Sequence, residues 1–152
     1  MKLSYILILA TLFFSCSANR NNATNNRALI SYESGSCYGK CAVFVVKINE
    51  NKTIEFEGIK NVEKIGKYRT EISNNDFNEI KKLITKVDFK SIDSVYTSNS
   101  TDLQLRILNL NSNKLNKKIL LYDNVPFELK QIENKVYNII EKYKLSKNHE
   151  NQ

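Results

Sequence analysis

Two cysteines four residues apart, in Cys37-Tyr38-Gly39-Lys40-Cys41, are the strongest local candidate for chemistry in this chain. Thiols at this spacing can exchange disulfides, bind a soft metal such as copper, or close on each other in an oxidising compartment. Closure requires the chain to turn back. Extended, the two Cα atoms would stand over roughly 13 Å apart, whereas one turn-like reversal brings them to about 6 Å, inside disulfide range. Gly39 is expected to ease that reversal. Copper delivery wants additional Met or His ligands, and the chain offers only Met1 and His149, one at each end. A redox nucleophile is usually activated at a helix N-terminus, but a run of β-branched residues follows Cys41. A structural Cys37–Cys41 disulfide is therefore expected, with no metal and no cofactor. Thiol redox or metal handling by the same pair is the alternative.

Other familiar chemistry has little to work with. With one His in 152 residues, His-dependent triads and imidazole relays cannot be assembled. Glu55 and Glu57 share a strand face, a pattern that signals solvent more often than a glycosidase pair. The segment Tyr96-Thr97-Ser98-Asn99-Ser100-Thr101-Asp102 reads as a polar loop, with Asp102 capping backbone N–H groups. Its hydroxyls, amide, carboxylate and aromatic also suit a glycan or peptide contact, so Tyr96, Thr97, Thr101 and Asp102, with Tyr38, form the candidate binding loop. Asp93-Ser94-Val95 resembles a short O-glycosylation acceptor of exported bacterial proteins. No catalytic residue is expected, and the domain is read as non-enzymatic.

The third cysteine addresses the protein. Residues 1–16, MKLSYILILATLFFSC, place one Lys before an almost wholly apolar run from Leu3 to Phe14. That run is well short of the roughly 20 residues a permanent membrane helix needs and fits the core of a secretory leader. Phe13-Phe14-Ser15-Cys16 resembles a bacterial lipobox, with bulkier residues than usual at its first two positions. It makes Cys16 the expected site of lipidation and residues 1–15 the signal peptide. Lipidation also resolves the odd count of three cysteines. Residues 16–27 then form a lipidated Cys and a polar, Asn-rich tether. No acidic run follows Cys16, which points to the periplasmic face, at the outer membrane of a Gram-negative envelope.

The charge balance is 23 Lys and Arg against 16 Asp and Glu, a net +7. The bias comes with 21 Asn and 16 Ile, and no lysine run exceeds the pairs Lys81/Lys82 and Lys117/Lys118. Nucleic-acid binders concentrate basic residues on a stripe, so no nucleic-acid partner is expected. The expected partners are the membrane, through Cys16, and an envelope protein or glycan.

Stepping along the chain, strand-like alternation covers 28–33, 42–48 and 52–58, the last two flanking a hairpin turn at Asn49-Glu50-Asn51. A fourth strand over 64–72 carries Gly66 as a bend or bulge. The period then changes. Phe77, Ile80, Leu83, Ile84 and Val87 form a helical stripe, opened by Ser73 and Asp76 as a capping-box variant. A second hairpin joins 103–110 to 115–122. Pro126 takes a first-turn position before the stripe Leu129, Ile132, Val136, Ile139, Ile140 and Tyr143. The fold class is α+β: an antiparallel sheet of about six strands with two helices on one face, in the order β-β-β-β-α-β-β-α. One domain spans 28–145, and 146–152 is a frayed tail. Residues 52–87 and 102–145 share a strand-strand-helix order without any residue-level repeat.

In this order, SCYGKCAVFVVKI, a hairpin, GKYRTEIS, a helix, YTSNSTDLQLRI and a last helix resemble domain-of-unknown-function family 6438, small bacterial envelope proteins. The resemblance covers about residues 28–145. Its most specific part is Cys37, Gly39 and Cys41 entering a strand, followed by the pairs Tyr96/Thr97 and Thr101/Asp102. Ala42 stands where such sequences often have Pro, and no Pro lies near Asp102, so local loop shapes are expected to differ. The resemblance implies the fold and an envelope setting, and carries no activity.

Overall fold

The computed structural model of the chain describes residues 27–100, 102–112 and 115–145. The expected leader, Cys16, the tether up to residue 26, Thr101 and the tail lie outside these residues; Arg27, expected to end the tether, is instead tied to the domain, its carbonyl accepting from Glu50 N at 2.9 Å. Among the described residues, no helix is long and apolar enough to cross a membrane.

Seven strands form one sheet: β1 (Ala28–Ser34), β2 (Val43–Asn49), β3 (Thr53–Lys60), β4 (Gly66–Glu71), β5 (Val95–Tyr96), β6 (Arg106–Ser112) and β7 (Leu115–Leu121). Two helices, α1 (Asn74–Thr85) and α2 (Phe127–Lys142), complete the α+β fold. The spatial order is β4-β3-β2-β1-β6-β7-β5. Every pairing is antiparallel except β5 with β7.

The sheet thus has one strand more than the six the alternation predicts. Two residues are too few for a period of two to register, and β5 exists because Leu120 N donates to Ser94 O and Tyr122 N to Tyr96 O, both at 2.8 Å. Its extended shape is imposed by the β7 edge rather than by its own sequence.

Alternation decides which face is dry. Ile30 and Tyr32 of β1, Phe44, Val46 and Ile48 of β2, and Ile54 and Phe56 of β3 point to the helices and are buried, as are Leu108, Leu110, Ile119 and Leu121. Ile80 and Ile84 of α1 and Leu129, Ile132, Val136, Ile139 and Ile140 of α2 close the same core. The opposite face is charged. Lys47 lies beside Glu55 and Glu55 beside Arg69, while Val45, Glu57 and Lys67 form the next row. The Glu57–Lys67 and Glu55–Arg69 pairs, 3.8 and 4.0 Å apart, are exposed and contribute little to stability. The two glutamates are therefore solvated ion-pair partners on an open sheet face.

Both helix starts differ in detail from expectation. Ser73 is the N-cap of α1 and its Oγ accepts from Asp76 N at 3.2 Å. The reciprocal half of a capping box is absent: Ser73 N donates instead to Tyr143 Oη at 2.6 Å, and Asp76 Oδ2 accepts from Ser73 Oγ at 2.7 Å. Asp76 is turned inward, toward cations on α2. Pro126 is the N-cap of α2, with ψ 152°, rather than a first-turn residue. At the other end Lys144 takes φ +53° and Leu145 N donates to Ile140 O, which brings Leu145 into the core. This is the closure glycine usually provides.

Candidate functional site

One end of the sheet gathers the residues singled out for binding. At the Ser34 end of β1 the chain enters the loop to β2, and Cys37 and Cys41 are joined there in a disulfide with Cα atoms 5.8 Å apart. Gly39 is not in the left-handed region, where Gly66 alone among the described glycines lies, and a Cβ on it would meet only Cys37 Sγ, at 3.9 Å. The reversal is therefore open to ordinary residues, contrary to the role expected of Gly39. The disulfide is followed directly by β2, so neither sulfur sits at a helix N-terminus.

The loop is braced on both flanks. On one side Gln104 Nε2 donates to Ser34 Oγ, Gly35 O and Ala42 O at 3.0, 2.7 and 3.1 Å, and Gly35 N donates to Leu105 O at 2.9 Å. On the other, Asn61 Nδ2 donates to Cys41 O at 3.0 Å. Tyr38 projects from this frame with 93% of its surface exposed.

Residues 96–100 and Asp102 reach the same end of the sheet, but they play unequal parts. Tyr96 belongs to β5, is half-buried against the core, and accepts from Asp93 N through its hydroxyl at 2.8 Å. Thr97 donates to Ser98 O, and its carbonyl accepts from Asn124 Nδ2. Asp102 is exposed at φ +65° and makes no hydrogen bond to another described residue, so the capping expected of it is not seen there. Thr101 lies outside the described residues. Gln104, not singled out from the sequence, ties this segment to the disulfide loop.

Two polar clusters escaped the sequence reading. Beneath the sheet's helix face, Glu133 of α2 accepts from Tyr32 Oη at 3.0 Å and lies 3.5 Å from Arg106 Nη1. Tyr137 Oη stands 3.3 Å from Tyr32 Oη, and Arg106 Nη2 donates to Tyr122 O. Burial raises the Tyr32 hydroxyl far above its ordinary pKa, with the neighbouring Glu133 charge adding to it. Burial also raises Glu133, and the Arg106 guanidinium offsets only part of this. The second cluster clamps the helices together. Asp76 accepts from Lys142 at 2.6 Å, Tyr143 at 2.8 Å and Lys135 at 2.9 Å, and Lys135 also pairs with Glu79. Burial pushes Asp76 upward, but the hydrogen bonds from Lys142, Ser73, Lys135 and Tyr143 outweigh it and hold the carboxyl well below the usual range. In both clusters the partners come from distant parts of the chain, apart from Ser73 beside Asp76, and no local pattern announces the distant ones.

A family model described as Domain of unknown function (DUF6438) matches residues 28–140. The chain belongs to the DUF6438 family. The matched span begins at β1 and ends inside α2, so it takes in the sheet, the disulfide loop and most of both polar clusters. No curated protein matches this DUF6438 chain. Ala42, where the resemblance leads to an expectation of Pro, serves the loop through its carbonyl, which accepts from Ser34 Oγ at 2.8 Å and from Gln104. A Pro offers the same carbonyl, so this bracing survives the exchange. Among the described residues, no group of three or more His, Cys, Asp or Glu is placed to hold a metal ion.

Proposed function

We propose that this DUF6438 protein is a membrane-tethered lipoprotein of the Gram-negative envelope, anchored through Cys16 and facing the periplasm, with a non-enzymatic binding or scaffolding domain. The observation that carries the binding role is Tyr38, almost fully exposed on a loop held by a disulfide, Gln104 and Asn61. A large aromatic on a pre-ordered loop loses little entropy when it is covered, which is how binding anchors are built. The anchor and the domain are tested together by affinity capture of the lipidated protein from its own envelope. A partner retained by the wild type and lost with Tyr38→Ala supports the reading, and unchanged recovery with Tyr38→Ala counts against this loop. Cys16→Ala is expected to abolish acyl labelling and membrane retention; unchanged attachment overturns the anchor.

The alternative, thiol redox or metal handling, draws on the surface position of the same disulfide. A structural bond should have a potential below about −300 mV, whereas exchange proteins lie between roughly −120 and −270 mV. Equilibrium titration against dithiothreitol separates them, and a potential in the higher range with turnover of a disulfide substrate favours the alternative.

A further inference from the structure

We propose that the disulfide-loop end of the sheet docks on an anionic bilayer surface, giving the domain a second membrane contact besides its lipid. This rests on the tethered reading only for the source of the bilayer. Three large apolar side chains are exposed on the β1–β4 side of this end: Tyr38 on the β1–β2 loop, and Ile59 and Ile65, 51% and 57% exposed, at the β3–β4 connection. The two connections touch through the Asn61–Cys41 hydrogen bond. Lys40 and Lys60 stand beside them, exposed and without an ion-pair partner among the described residues, and Lys64 holds its Nζ 4.8 Å above the Tyr68 ring. Glu63 is the only acid in these two connections.

Apolar side chains rimmed by lysines match the boundary between acyl chains and phosphate headgroups, where tyrosine also concentrates. A glycan site would need several free hydrogen-bonding side chains around the aromatic; these two connections offer Ser36 and Asn61, the latter already donating to Cys41 O, among aliphatic and cationic residues. The other side of the same end carries Asp102, Asp123 and Glu128 around the exposed Phe127, against one exposed lysine, Lys130. Charge therefore sets the approach, with the β2–β4 side toward the lipid.

The chain's reach permits this contact. β1 spans about 20 Å and the preceding chain joins it at Ala28, the end away from Tyr38. The twelve steps from Cys16 to Ala28 can extend to roughly 40 Å, about twice that length. Lipid and docking end can therefore meet one bilayer.

The test uses residues 16–152 with Cys16→Ser, which lacks both leader and lipid while keeping the core, all of which lies between Leu29 and Leu145. It is expected to co-sediment with vesicles of phosphatidylglycerol and phosphatidylethanolamine, to release as salt rises, and to bind phosphatidylcholine vesicles poorly. Lys40→Glu with Lys60→Glu should weaken binding at least about 25-fold, since each lysine at such a surface contributes roughly a factor of five. Tyr38→Ser should weaken it further. Lys47→Glu with Lys118→Glu makes the same change in net charge elsewhere on the sheet and should leave most of the binding intact. No preference for the anionic vesicles, an equal loss in both lysine pairs, or binding to peptidoglycan sacculi in place of vesicles overturns the proposal. Because the probe protein carries no lipid, these outcomes are independent of acyl labelling at Cys16, where failure of the tethered reading would show.

Discussion

Asp76 and Glu133 are both buried carboxylates, yet their surroundings move them in opposite directions. Asp76 is depressed, so its contribution to stability is present above the ordinary carboxylate pKa near 4 and is lost as pH falls through its lower folded value. Asp76→Asn leaves Lys135 without its buried partner and should cost on the order of 3 kcal/mol at pH 7, a cost that shrinks below about pH 4 in urea titrations. Glu133 is raised, so its contribution is full below the ordinary carboxylate range and is lost as pH rises through its folded value. Glu133→Gln keeps an acceptor for Tyr32 and removes the charge; its stability relative to wild type should improve between pH 4 and pH 8, and no change over that interval would contradict the assignment. From the sequence Asp76 was legible only as a capping residue and Glu133 not at all. Their partners lie from 59 to 101 positions away for Lys135, Lys142, Tyr143 and Tyr32, and only the packed fold brings them together.

Strands and helices were legible where a period persists for several residues, and connections were not. The stripe from Leu129 to Ile140 locates α2, and the alternation from Ile54 to Phe56 locates β3, because burial on one face imposes those periods. β5 has no period of its own, and Gln104 gives no signal that it will bridge two loops. Glycines show the same divide. A Cβ at Gly58 would lie 1.8 Å from Lys64 O, so Gly58→Ala must displace the β3–β4 connection and should cost about 3 kcal/mol or more. Gly66 has open space around it but φ +103°, and Gly66→Ala should cost roughly 1–2 kcal/mol from the backbone alone. Gly39→Ala meets neither obstacle and should change stability by less than about 0.5 kcal/mol with the disulfide retained. Thermal melts of the three variants check this ranking.

For the molecule as a whole, the α+β class and the helices on one face follow from sequence pattern, whereas the strand order does not. Nothing local states that β6 pairs with β1, with Ile30 beside Leu110 and Ser34 beside Arg106. The disulfide closes only a five-residue loop remote from the core, so reduction should remove at most about 2 kcal/mol and leave the far-ultraviolet circular dichroism of the domain unchanged. Loss of the whole fold on reduction would show the bond to be integral. The central place of β1 also bears on how the chain folds. β1 to β4 meet their neighbours through short local connections, but the second edge of β1 stays bare until residues 106–112 arrive. Pairings between such distant segments form slowly, and an inner strand left open is a template for mispairing between chains. The first four strands are thus an unfinished sheet during synthesis. A chain truncated before β6 should aggregate in sedimentation experiments rather than persist as half a domain.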